Sequence, residues 1–168
     1  MQNDRKAQMQ LYDMYSKAMY NTAINFVKDG MLAQDLMQES FIKAFKKMER
    51  FNGEATFGSW LKKIVINHCL DYLKKQKLET IAINEEVISI VEDETWNIHQ
   101  EINLQEIYRC IELLPQKCKN VLKLYLLEGY DHQEVSQILN ISEVASRSQL
   151  SRGKNKLKQL LTQHNYES

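Results

Sequence analysis

Apolar positions recur along this chain at helical spacing. Leu32, Leu36, Met37, Phe41, Ala44, Phe45 and Met48 follow a period of ~3.6 residues, which predicts an amphipathic helix ending before the stretch FNGEATF. Asp35, Gln38, Glu39 and Ile42 fall on a different face of it. In the loop RFNGEATF a glycine permits an unusual backbone angle, Phe51 and Phe57 flank it, and Thr56 or Ser59 can cap the helix beyond it. That helix separates cleanly on a wheel. Leu61, Val65, Ile66, Cys69, Tyr72 and Leu73 gather on one side, with Trp60, Lys63, Asn67, Asp71 and Lys74 opposite.

After this helix the periodicity stops. The stretch ETIAINEEVISIVEDETWNIHQE mixes β-branched residues with acids and carries no sustained stripe, which predicts a linker. Helical spacing resumes with Ile107, Cys110, Ile111 and Leu114, stopped by Pro115, and QKCKNVLKLYLLEGY reads as another helix ending at Gly129. Asp131 then caps HQEVSQIL, Asn140 sits at a turn where a left-handed backbone is tolerable, and Ser142 caps a last, basic helix. Two short helices joined by such a turn have the sequence form of a helix-turn-helix. The expected fold is therefore all-α: two small helical domains, residues 5–77 and 101–162, joined by a flexible acidic linker over 78–100. Each domain is close to the lower size limit for an independent core.

Composition supports this reading. The 168 residues include one proline and five glycines, so long helices are easy and tight hairpins scarce. A hydrophobic content of 43% with mixed charge belongs to a folded chain. Cys69, Cys110 and Cys118 lack the spacing of a disulfide framework or a zinc knuckle, and buried thiols are expected. The segment MQNDRKAQMQLYDMY has charges where a signal peptide needs an apolar run, and no window approaches ~18 apolar residues. A soluble, cytoplasmic protein is the expectation.

Charge changes the picture more. The formal net charge is zero, yet it is an average over blocks. WLKKIVINHCLDYLKKQK carries five lysines against Asp71 alone. The bridge holds Glu85, Glu86, Glu92, Asp93, Glu94 and Glu101, with no Lys or Arg between Glu79 and Glu106. The last helix then packs Arg147, Arg152, Lys154, Lys156 and Lys158 against Glu143. Two basic blocks flank an acidic one.

The second helix of a helix-turn-helix enters the major groove through its N-terminal part, where Arg reads guanine and Gln reads adenine. Glu143, Arg147, Ser148, Gln149, Ser151 and Arg152 are the candidates, and Arg152, Lys154 and Lys156 also suit phosphates. The same pattern would serve a solvated surface helix packed through Leu150, Leu157 and Leu160. The earlier basic helix offers different chemistry. Trp60 at its start, with Asn67 and Asp71 one turn apart among lysines, suits single-stranded or melting DNA, where bases stack on aromatics.

Taken together, LYDMYSKAMYNTAINFV, AQDLMQESFIKAFKKMERFNGEATFGSWLKKIVINHCLDYLKK, IELLPQKCKNVLKLYLLEGYDHQEVSQILNIS and SRSQLSRGKNKL resemble the bacterial sigma factors of the extracytoplasmic-function group, small members of the sigma-70 family. The resemblance covers nearly all of the chain outside the bridge, in order. It implies a subunit that binds core RNA polymerase, directs it to promoters and assists melting, without catalytic residues, cofactor or metal of its own. Asp35, Gln38, Glu39 and Phe41 match the family's surface for the β′ clamp helices, and the β flap is a second polymerase contact. Asn52 in the loop and Trp60, Lys63, Asn67, Asp71 and Lys74 match its minus-10 reader, where a non-template base is flipped out. Flipping costs a few kcal/mol, which a pocket must offset. Glu143, Arg147, Ser148, Gln149, Ser151, Arg152 and Lys154 match its minus-35 reader. Promoter DNA and an anti-sigma factor, where one exists, complete the implied partners.

The chain departs from the family pattern in the last helix. Val144, Ala145 and Ser146 stand where the family often has Gly-Thr-Val, and Gln149 replaces a frequent Arg, so the minus-35 preference transfers least and Ser146 makes the core there less apolar. The linker of the family follows the RNA exit path of the polymerase, where the acidic bridge could imitate nucleic acid. A polymerase-independent helix-turn-helix regulator is the alternative, but it leaves the basic Trp60 helix unexplained. An enzyme is not expected: His68, His99, His132 and His164 do not cluster with carboxylates at metal spacing, DHQE reads as a helix start, and there is no phosphate-cradling glycine loop or nucleophile motif.

Overall fold

The computed structural model describes residues 4–79 and 103–166. The chain divides into two separately packed units, split between Asn84 and Glu85. All described elements are helical. Glu85, Glu86, Glu92, Asp93, Glu94 and Glu101 of the bridge lie outside the described residues; only positions 78 and 79 of the expected linker are described, and they prolong the third helix.

The first unit contains α1 (Arg5–Val27), α2 (Gly30–Lys46) and α3 (Phe57–Glu79), each packed on the other two. Asp4 caps α1 by accepting from the amides of Lys6 and Ala7. Lys28, at φ 59°, ends it in the left-handed region, and Asp29 at once caps α2 through the Leu32 amide. Two residues thus reverse the chain, one capping each helix end. Met19, Ala23 and Phe26 of α1 meet Ala33, Leu36, Met37, Phe41 and Ala44 of α2 and Leu61, Val65, Ile66 and Cys69 of α3 in the interior. The expected face of α2 is rotated slightly: Leu32, Phe45 and Met48 are only half-buried, and small residues, Ala33 and Ser40, take the innermost places. Ser40 is admitted because its hydroxyl donates to the Leu36 carbonyl at 2.6 Å. A 3-10 turn, Met48–Arg50, ends α2 short of the loop.

The second unit is built on α7 (Glu143–Tyr166), which packs against α4 (Leu104–Glu112), α5 (Gln116–Leu122) and α6 (His132–Leu139). Asn103 caps α4, Pro115 opens α5, and Asp131 and Glu134 close a reciprocal capping box on α6. Asn140 has φ 52° and ψ 52°, as the turn requires, and Ser142 caps α7 through the Ala145 amide. Leu150, Leu157 and Leu161 are buried along α7, so the last core position is Leu161 and not the half-buried Leu160. Gly153 makes a close crossing possible: a Cβ there would stand 3.4 Å from the Cys118 Cβ and 3.5 Å from Leu122 Cδ1.

Two features of this unit depart from the regular helix expected over QKCKNVLKLYLLEGY. Beyond α5 the backbone widens into a π turn, Lys123–Leu127, and leaves it at Gly129 with φ 76°. Within that turn Lys123 is buried, its side chain 2% exposed, with Nζ 2.9 Å from Glu112 Oε1 on α4. Lys119 also reaches Glu112, at the carboxylate and the backbone carbonyl. A buried ammonium is tolerated only beside such a counter-charge. Cys69, Cys110 and Cys118 are buried as expected, and burial pushes the Cys69 thiol up to about 12.

The asymmetry between breaking and replacing a buried pair gives a test. Glu112→Ala should cost about 3 kcal/mol, because the Lys123 charge stays buried, whereas Lys123→Met should be near neutral. Hydrogen exchange of α4 and α5 in the two variants checks this; equal losses would contradict it.

Candidate nucleic-acid interface

The site residues named from the sequence fall on three of the outward surfaces, on α2, α3 and α7. On α2, Asp35, Gln38 and Glu39 are exposed, flanked by Met31 and Ile42. Phe41, which the family motif includes and the apolar spacing assigns to the core, is 2% exposed and packs on Tyr12 at 4.8 Å and Phe45 at 5.9 Å between ring centres. It supports the surface from beneath, since an aromatic ring has far more to gain in the core than in water. Glu39 has a partner that sequence reasoning missed. His68 of α3 places Nε2 3.2 Å from its carboxylate, while Nδ1 lies 3.2 Å from Ser40 Oγ and 3.3 Å from the Leu36 carbonyl. The only hint in the sequence was a histidine at the margin of an apolar face.

The second surface is the loop between α2 and α3 with the outer ridge of α3. Gly53 has φ 78°, and Asn52 Oδ1 accepts from the Glu54 amide at 3.2 Å. Of the two caps expected, Thr56 is the one used: its hydroxyl accepts from the Ser59 amide. Phe51, Phe57 and Trp60 form a triangle of rings 5.4 to 5.8 Å apart, and Tyr15 of α1 packs on Phe57 at 5.5 Å. Trp60 is therefore half-buried in the packing that fixes the loop to the start of α3, rather than standing free on the ridge. Asn67, Asp71 and Lys74 are exposed and Lys63 is half-exposed. At intervals of four, four and three residues these side chains share one face, with the loop at its end.

The third surface belongs to α7. Glu143, Arg147, Ser148 and Arg152 are exposed at its N-terminal half, whereas Gln149, Ser151 and Lys154 are half-buried toward the margins. Arg147 Nη2 lies 3.7 Å from Glu143 Oε2, an exposed i,i+4 pair worth little in water and easily given up to another acceptor. Ser146, one residue earlier, is fully buried. Its hydroxyl meets His132 Nδ1 at 2.9 Å, and the imidazole stacks on Tyr125 at 4.6 Å. The less apolar core expected at this position is thus compensated by a partner on α6, and the pair fixes how α7 is rotated over α6.

A family model described as sigma-70 region 2 matches residues 11–79, and one described as sigma-70 region 4 matches residues 104–157. The chain belongs to the sigma-70 family. Its similarity to curated sigma factors runs nearly end to end and places it in the extracytoplasmic-function group. It is 28% identical over 152 residues to the extracytoplasmic-function RNA polymerase sigma factor SigM of Bacillus subtilis, spanning 90% of this chain and 93% of that one. It is 26% identical over 162 residues to the sigma-E factor of Salmonella typhimurium, spanning 90% and 84%. Among solved structures, the sigma factor RpoE in complex with the anti-sigma factor NepR from Bartonella quintana shares the fold, with a TM-score of 0.67 at 21% identity over 94% of this chain and 98% of that one. CnrH in complex with the cytosolic domain of CnrY does so at 0.63 and 20%, over 95% and 90%. The two matched regions of this sigma factor coincide with the two packed units, and the α2, α3 and α7 surfaces lie within them.

The His132–Ser146 contact carries a pH dependence. Burial holds the imidazole pKa below its ordinary value of 6.5, with Arg147 and Lys154 acting in the same direction and Asp131 and Glu143 opposing. The unfolded chain then takes up a proton that the folded unit resists. Stability of the second unit should be full above about pH 6.5 and fall as the pH drops from there toward the lower folded value. Hydrogen exchange of α6 and α7 between about pH 7.5 and about pH 5.5 checks this, with His132→Asn giving a flatter profile from a lower starting stability.

Proposed function

We propose that this chain is the promoter-recognition subunit of a bacterial RNA polymerase, with the work divided between its units. It binds core polymerase, directs it to promoters and assists melting, while nucleotide addition belongs to the polymerase. The observation that carries this reading is the pairing, in one chain and in family order, of two packed units that each present a polar reading ridge opposite a buried core. A lone helix-turn-helix regulator would account for α7 and leave the aromatic-braced loop and the α3 ridge without use.

In this assignment Asp35, Gln38 and Glu39 meet the β′ clamp helices, with His68 holding Glu39 in place, and the second unit meets the β flap. The loop at Asn52 and the ridge of Lys63, Asn67, Asp71 and Lys74 take the melted minus-10 strand. Lysines attract its phosphates, while the amide of Asn67 and the carboxylate of Asp71 offer hydrogen-bonding groups to an unstacked base edge. Trp60 acts through the loop it braces. On α7, Arg147, Ser148 and Arg152 face the minus-35 duplex, with Gln149, Ser151 and Lys154 at the edges of the contact. Glu143 holds Arg147 until a base competes for it. The protein works in the cytoplasm, where the polymerase is; among the described residues no helix is long and apolar enough to cross a membrane. The solved neighbours were captured with an anti-sigma factor and with the cytosolic domain of CnrY, which makes a protein antagonist the expected regulator.

The test is transcription by purified core polymerase on a pool of random promoter-like DNA, with the starts sequenced. Addition of this chain should yield starts that share two spaced upstream motifs. Asn67→Ala and Asp71→Ala should impair opening and minus-10 discrimination, while Arg147→Ala or Arg152→Ala should lower minus-35 affinity by ~1–3 kcal/mol where the contact is bidentate to a base. Equal losses at both elements in all four variants would contradict the division. Specific duplex binding by the chain alone, with no added transcription, would favour a regulator instead.

A further inference from the structure

The arginine-bearing side of α7 also leaves one aliphatic side chain in water. Val144, in the first turn, is 74% exposed, whereas Ser146, Leu150, Gly153 and Leu157 are buried on the opposite side. Arg147, Ser148 and Ser151 follow Val144 by three, four and seven residues, so the four side chains form one ridge. A β-branched residue loses side-chain freedom in a helix, and left exposed it recovers nothing through packing. The first turn is also the part of such a helix that reaches base edges. Rotation of α7 about its axis, which would turn Val144 aside, is opposed by the Ser146–His132 contact two residues on.

The major-groove edge of a base pair offers nitrogen and oxygen groups, which an aliphatic side chain would only dehydrate, and one apolar feature, the C5-methyl of thymine. We propose that Val144 reads a thymine methyl in the minus-35 element, next to the base contacted by Arg147. The inference rests on the assignment of α7 to the minus-35 duplex. It adds a specificity that neither Arg147 nor Ser148 can supply, since their chemistry is blind to a methyl group.

The experiment uses the full-length chain with core polymerase on a promoter recovered from the random pool. Each minus-35 thymine is replaced in turn by deoxyuridine, which keeps every hydrogen-bonding group and removes only the methyl. At one position the replacement should lower transcription at subsaturating protein about fourfold, the equivalent of ~0.8 kcal/mol for one buried methyl. Val144→Ala should be indifferent to it there, and Val144→Ile should keep the preference. Methyl sensitivity at no position, or an unchanged loss in Val144→Ala, would overturn the inference while leaving the sigma-factor reading intact. Failure of the chain to direct any promoter-specific start would overturn both.

Discussion

A helix in a small domain has one face to bury, and whatever it recognises must be met by the other. In the first unit, Leu61, Val65, Ile66 and Cys69 are wholly buried against α1 and α2, so α3 cannot roll without opening the core. That packing alone decides that Lys63, Asn67, Asp71 and Lys74 look outward. The same constraint acts on α7, where Leu150, Leu157 and Leu161 occupy the core and Gly153 permits the close crossing with α5. Hydrophobic burial thus fixes the direction of both ridges in the free protein, and the entropy of ordering them is met by folding, ahead of the DNA contacts proposed for them.

Burial is non-directional, and a few polar contacts within the cores fix what it leaves open. His68 reaches from α3 to Ser40, Leu36 and Glu39 on α2; His132 reaches from α6 to Ser146 on α7; Lys123 reaches from the π turn to Glu112 on α4. Each joins two helices and would be left costly and unsatisfied if one helix shifted by a turn along the other. Two of the three bear directly on function as assigned here. The first ties α2, assigned to the polymerase, to α3, assigned to melted DNA, and the second sets the rotation of α7, assigned to the duplex.

The fold was largely legible in the sequence because its signals are local. Apolar spacing located the buried faces of α2 and α3, and Asp131, Asn140 and Ser142 marked the ends of α6 and α7 by capping chemistry that depends on neighbours a few residues away. What was not legible depends on distant partners. Ser40 and His68 stand 28 residues apart, and His132 and Ser146 stand 14 apart, so neither pair leaves a periodic trace. Ser146 looked like a flaw in the core until its partner appeared. Phe41 lies in the core, as its apolar spacing indicated and its place in the family motif did not, whereas Trp60, on the polar side of the wheel, has its ring taken up in packing, which residue type already favoured. The π turn has no sequence signature beyond an unremarkable helical stretch.

The charge pattern takes its meaning from this geometry. A chain with no net charge places five lysines on α3 and five lysines and arginines on α7, the two helices whose outer ridges are assigned here to DNA, while the stretch from Glu79 to Glu106 between them carries acids and no Lys or Arg. The central claim is that the two units act on DNA in different states, one on a melted strand and one on a duplex. Paired nuclease and permanganate footprinting of a cognate promoter with core polymerase and this chain, one reporting protection and the other unpaired thymines, tests it most directly. The account predicts protection of both elements, with unpaired, reactive thymines only at and downstream of the minus-10 element and none when polymerase is omitted. Protection without any melted thymines, or the same footprint from the chain alone, would contradict it.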